Sequence, residues 1–203
     1  MAKRFLSFLA IGVAAAAIGG CGGSSKSSSS ASSSAATSSV PSGFSLYRGD
    51  GFSVGVPSNY QAHQANLPGL PAGAWDRALT ANGQADQSTN AEILAMVNPN
   101  LQQSIDQVTS QLRQSESADS SLSNFHTSVR STTVPGAQQA RIVTESYISR
   151  YSNATQAKTE IDRTWLMVSP KPGTLIDVVV VNEPKRGGDL NPSEIINSFH
   201  LTK

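Results

Sequence analysis

Five side chains in the second half of the chain have the types and spacing for recognition chemistry. In ARIVTESYI, residues 140–148, strand alternation puts Arg141, Val143, Glu145 and Tyr147 on one face. In IDRTWLMV, residues 161–168, it puts Ile161, Arg163, Trp165 and Met167 on one face. If the two segments are neighbouring strands and those faces coincide, Arg141, Glu145, Tyr147, Arg163 and Trp165 make an amphipathic patch of charges and aromatic rings. Such a patch suits a ligand or partner pocket between a sheet and a helix. The commoner arrangement of the same residue types is a set of cross-strand ion pairs beside core aromatics.

Elsewhere the chemistry is sparse. His63, His126 and His200 are far apart and form neither an H-x-x-H nor an H-E-x-x-H pair, so no metal site is expected. There is no G-x-S-x-G elbow, P-loop or dinucleotide glycine motif, and no serine has a histidine and carboxylate placed beside it in sequence. Neither an enzyme nor a cofactor is expected. Asp189, Asn191 and Glu194 follow Gly187-Gly188 but lack the glycine position and spacing of a calcium loop. Pro192 after Asn191 explains that stretch as the start of a helix. Charged residues are 14% of the chain, with 15 basic and 14 acidic side chains. Such a surface has little field to attract a phosphate backbone, which argues against a nucleic-acid partner.

The elements that must position these side chains alternate between strand and helix periods. Phe44-Leu46 and Phe52-Val54-Val56 are short period-2 runs around Arg48-Gly49-Asp50-Gly51, and Gly-Asp-Gly between alternating apolars predicts a hairpin. The Arg-Gly-Asp triplet is thereby read as a turn rather than an adhesion site. Residues 91–97 read as a strand. Leu101, Ile105, Val108 and Leu112 then form one stripe of an amphipathic helix, with Asn100 as N-cap and Gln103 as its capping-box partner. Residues 125–134, 140–148, 161–168 and 175–181 read as strands. The last, LIDVVVV, is nearly continuous and β-branched, as in a central strand covered on both faces. A short helix through Glu194-Ile195-Ile196 and a closing edge strand at 198–201 complete the order. Together these predict an α+β fold, an α/β/α sandwich with a mostly antiparallel central sheet.

The amino terminus bears on location. Lys3 and Arg4 precede an uncharged apolar run, residues 5–18, that is too short for a permanent span. It ends in Ile18-Gly19-Gly20-Cys21, which resembles the bacterial lipobox. That resemblance implies cleavage between Gly20 and Cys21, diacylglycerol on the Cys21 thiol and acylation of the new amine. Cys21 is the single cysteine, so an intramolecular disulfide is impossible. Residues 1–20 are expected to be a lipoprotein signal peptide, and 21–42 the lipidated cysteine and a flexible Ser/Ala/Gly tether. Residues 43–203 are expected to be the folded domain, held by lipid at the extracytoplasmic face of a bacterial membrane. In that setting the Asn153-Ala154-Thr155 sequon has no eukaryotic machinery to act on it.

The opening FSLYRGDGFSVGVPSNY, with its aromatic, turn, aromatic and aliphatic-Pro-x-x-aromatic form, resembles PsbP-like proteins of the Mog/PsbP fold. The closing PSEIINSFHL resembles their carboxy-terminal end, while Tyr60 stands where that family commonly has tryptophan. Lipid-anchored members include LpqN-type lipoproteins. The resemblance implies a non-catalytic binding or assembly module, whose partners would be the bilayer and an envelope protein or small ligand. The alternative is a carrier of a small amphipathic or lipidic ligand near Trp165, and after it a cell-envelope enzyme.

Overall fold

The computed structural model describes residues 40–64, 76–81, 90–149 and 158–202. The signal peptide, Gly20, Cys21, most of the tether and the sequon lie outside them.

Alternation around Asp50-Gly51 folds as expected. Strand β1 (Phe44–Gly49) pairs antiparallel with β2 (Phe52–Pro57), and Gly49 faces Phe52 at the turn. Gly51 has φ +76°, a region open to glycine at little cost. A Cβ on Gly49 would overlap the Phe52 ring. β10 (His200–Leu201) pairs with the other edge of β2 and completes a three-stranded sheet. The closing strand read from the sequence therefore exists, and it joins the small sheet.

The larger sheet holds β3 (Tyr60–Gln64), β4 (Arg77–Ala81), β5 (Ala91–Asn98), β6 (Leu122–Thr132), β7 (Gln139–Ser149), β8 (Thr159–Ser169) and β9 (Leu175–Asn182). Its order is β3-β4-β5-β9-β8-β7-β6, with every pair antiparallel. β9 lies in the interior of this sheet with both faces buried, as its β-branched run predicts. β3 and β4 were not expected. Their sequences, YQAHQ and RALTA, are short and carry few large apolar residues.

Helix α1 (Ile105–Ser117) covers one face of the large sheet, and Ile105, Val108 and Leu112 bury against Leu94, Val143, Trp165 and Val179. Its start differs from expectation. The N-cap is Ser104, whose hydroxyl accepts from the Gln107 N–H while Gln107 Oε1 accepts from the Ser104 N–H. Asn100 sits four residues earlier, in the turn where Asn98 Oδ1 accepts its N–H. Leu101 continues the apolar stripe without being helical. Its N–H donates to Gly173 O, and its side chain enters the same core.

The opposite face is covered by the small sheet and helix α2 (Pro192–Asn197). There Phe52, Val54, Val56, Ile195 and Phe199 pack on Ile142, Leu166, Ile176 and Val178. Asn191 caps α2 through its Oδ1, with Pro192 in the first turn. The α+β sandwich with an antiparallel central sheet is the observed architecture, its second cover a short helix beside a small sheet.

Candidate functional site

The two strand faces singled out in the sequence do coincide. Register pairs Arg141 with Met167, Val143 with Trp165, Glu145 with Arg163 and Tyr147 with Ile161, so all these side chains share the face under α1. Glu145, Tyr147, Arg163 and Trp165 converge there, each only 3 or 4% exposed. Arg141 stands apart at the amino-terminal end of α1, where its Nε donates to Asp106 Oδ1 at 3.0 Å.

A fifth member comes from the helix. Glu116, in the last turn of α1, falls four residues after Leu112 and continues the apolar stripe with a carboxylate. Arg163 Nη2 donates to Glu116 Oε1. Arg163 Nε lies 3.2 Å from Glu145 Oε2, an ion-pair distance without the alignment of a hydrogen bond. Trp165 Nε1 donates to that same oxygen at 2.9 Å. The guanidinium carbon stands 4.7 Å from the Tyr147 ring centroid and 5.5 Å from that of Trp165, both cation–π distances.

Two carboxyls share one guanidinium in this buried interface. Burial, with Glu145 beside it, lifts Glu116 to about 8, although Arg163 pulls the other way. Burial opposes the charge on Arg163, but Tyr147, Glu116 and Glu145 outweigh it and hold the guanidinium protonated above its ordinary value. Burial raises Tyr147 as well. Glu116 Oε2 and Glu145 Oε1 have no hydrogen-bond donor among the described residues, and a proton held between the carboxyls would satisfy both. The cluster ties α1 to the sheet and is closed to a partner's surface.

The other face of the same strands is different. Beyond the reach of the small sheet, an open depression of about 460 Å³ is lined by His126, Ser128, Thr144, Ser146, Asp162 and Thr164, with Asn182 and Pro192 at its side. Register explains the set: His126, Ser146, Asp162 and Asn182 form one cross-strand row, and Ser128, Thr144 and Thr164 lie in the next. Ser128 and Thr144 share a hydroxyl–hydroxyl hydrogen bond of 2.6 Å. Burial, with Glu160 nearby, raises the Asp162 carboxyl. The sequence signal was available, since 144, 146, 162 and 164 are the polar alternates of the two strands whose other faces drew attention.

No family model matches the chain, and no curated protein matches it. Solved structures similar in fold include the solution structure of cyanobacterial PsbP from Synechocystis sp. PCC 6803. It aligns with a TM-score of 0.47 at 10% identity, over 91% of this chain and 99% of that one. The Ran-binding protein Mog1p of Saccharomyces cerevisiae aligns with the same TM-score and identity, over 78% of this chain and 95% of that one. The likeness is one of distant fold outline and says nothing of a partner or an activity.

His63 and His200 lie on β3 and β10, away from this depression, and His126 is exposed at its rim. Among the described residues no three His, Cys, Asp or Glu side chains are grouped to hold a metal ion. Asp189 and Asn191 flank Leu190, whose N–H and C=O are both bonded to the buried Asn182 amide, and Asn191 Oδ1 is occupied as a helix cap.

Proposed function

We propose that the chain is an exported, lipid-anchored protein whose folded domain, residues 43–203, is a non-catalytic binding or assembly module. Its docking face is the uncovered polar part of the large sheet. The observation that carries this reading is the open depression lined by small hydroxyl, amide and carboxyl side chains on β6, β7, β8 and β9. A carrier of an apolar ligand needs an enclosed apolar cavity, whereas this depression is open and carries hydroxyl, amide and carboxyl groups among its lining residues. The strongly shifted carboxyls, Glu116 on α1 and Asp177 on β9, are buried between α1 and the sheet rather than set in a cleft where substrate could reach them. Anchoring rests on the lipobox-like Ile18-Gly19-Gly20-Cys21 alone.

Two experiments test the two halves of the reading. Cys21→Ser should abolish labelling by a clickable fatty acid and release the protein from membranes; unchanged membrane retention would sink the anchor. For docking, a photo-crosslinking amino acid at Thr144 should capture a discrete partner in the native envelope, and the same probe at Arg113, exposed on α1, should not. Equal capture at the two positions would remove the sheet face from consideration.

A further inference from the structure

Met96, Asp177 and Met167 form one row across three adjacent strands. Met96 pairs with Asp177 between β5 and β9, and Asp177 pairs with Met167 between β9 and β8. Directly opposed residues share a face with Cβ atoms roughly 5 Å apart, so two thioethers flank one carboxyl. That face lies under α1. Met167 belongs to its core, and Met96 packs against it from a half-buried position. Thr109 Oγ1 of α1 stands 3.6 Å from Met167 Sδ while its hydroxyl donates to Ile105 O at 2.7 Å.

Asp177 has no packing rationale. It is 3% exposed, and its Oδ1 has no hydrogen-bond partner. A buried carboxyl oxygen without a partner costs the fold free energy, and the residues around it in LIDVVVVN show what the position would otherwise hold. An unsatisfied buried oxygen on a residue paired across the sheet with a methionine on each side is half of a ligand set.

We propose that Met96, Asp177 and Met167 bind a soft monovalent cation of the copper(I) or silver(I) kind. Thioether ligands select such ions over hard divalent ones. Charge selects the valence as well: a monovalent cation on one carboxylate leaves the buried site neutral, whereas a divalent cation would leave a charge unpaired in an apolar interface. On binding, the Asp177 carboxyl gives up its proton to solvent and its oxygen takes the cation, with no change of oxidation state. A carboxyl ligates only when deprotonated, so proton and metal compete for Asp177 and binding tightens as pH rises. Half-buried Met96 is the point of approach. The site lies on the opposite face of the sheet from the polar depression, and neither depends on the other.

Silver(I), which is redox-stable, is the probe. The full-length chain carrying Cys21→Ser, which removes a competing thiol, is titrated with silver nitrate in chloride-free buffer. One equivalent should bind, with release of protons at neutral pH and shifts in the Met96 and Met167 methyl resonances. Met96→Leu and Met167→Leu nearly conserve volume. Each should weaken binding by at least the roughly tenfold lost when even an outer-shell partner of a metal is disturbed. Asp177→Asn should weaken binding and abolish the proton release. Absence of binding in the parent chain overturns the proposal. So does undiminished affinity in Asp177→Asn, or in a Met96→Leu/Met167→Leu double variant whose circular dichroism is unchanged.

Discussion

Arg163, on the interior strand β8, hydrogen-bonds Glu116 in the last turn of α1, and the bond joins the middle of the large sheet to the helix that covers it. A carboxyl at a helix carboxy terminus sits at the unfavourable end of the helix dipole. Its place there makes sense because the guanidinium lies directly beneath, with Glu145, Trp165 and Tyr147 completing the surround. The polar contacts fix how α1 lies on the sheet, while Ile105, Val108 and Leu112 supply the apolar burial.

Arg163→Met should destabilise the domain by about 3–5 kcal/mol, because it leaves buried carboxyls without a counter-charge. Replacing Glu116 and Glu145 by Leu in the same chain should restore much of that loss, since an apolar set of similar volume removes the desolvation cost. Urea denaturation of the three proteins checks both statements. A loss below about 1 kcal/mol for Arg163→Met would mean that the cluster behaves as an exposed pair does.

Stability should fall as pH rises. Glu116 is raised from 4.5 to about 8 and Asp177 from 3.8 to about 8, so the native state binds more protons than the unfolded state between those limits. Their contribution is fully present below about pH 4 and is lost as pH rises through about 8. Asp162, raised by burial, acts in the same direction. Denaturant midpoints should therefore drop from pH 5 to pH 9, and Asp177→Asn should flatten the curve. A rising midpoint over that range would refute the buried neutral carboxyls.

Ser104→Ala should cost about 1 kcal/mol, the usual loss of a hydroxyl N-cap. Asn100→Ala should change stability by less than about 0.5 kcal/mol, as surface substitutions do. Thermal melts of the two variants separate the observed helix start from the one four residues earlier that the sequence suggests.

That four-residue error shows what could be read from the sequence. Leu101 is one helical turn before Ile105, so a stripe of period 3.6 includes it whether or not the backbone is helical there. Long strands with strict alternation, β7 and β8 above all, were legible with their faces, and so was the doubly covered β9. β3 and β4 were not, because five residues with a glutamine or a terminal arginine give too little pattern. For the site, alternation brought Glu145, Tyr147, Arg163 and Trp165 together, but only tertiary packing shows that α1 seals them. Glu116 could have been found, being a charge on an apolar stripe, and so could the polar alternates that line the open depression.

The Arg48-Gly49-Asp50 turn separates display from folding. Arg48 and Asp50 are exposed, whereas Gly49 faces Phe52, whose ring stacks on Phe199 at 5.5 Å. A methyl on Gly49 would have to push that ring out of the core between the small sheet and α2. Gly49→Ala should thus cost about 1–3 kcal/mol by overpacking, while Arg48→Ala and Asp50→Ala should stay within about 0.5 kcal/mol of the parent. Urea midpoints decide the first two statements, and near-ultraviolet circular dichroism reports whether Phe52 has moved. A Gly49→Ala protein as stable as its parent would show that this turn is not fixed by its packing on the core, and the triplet would have to be reconsidered as a site for recognition.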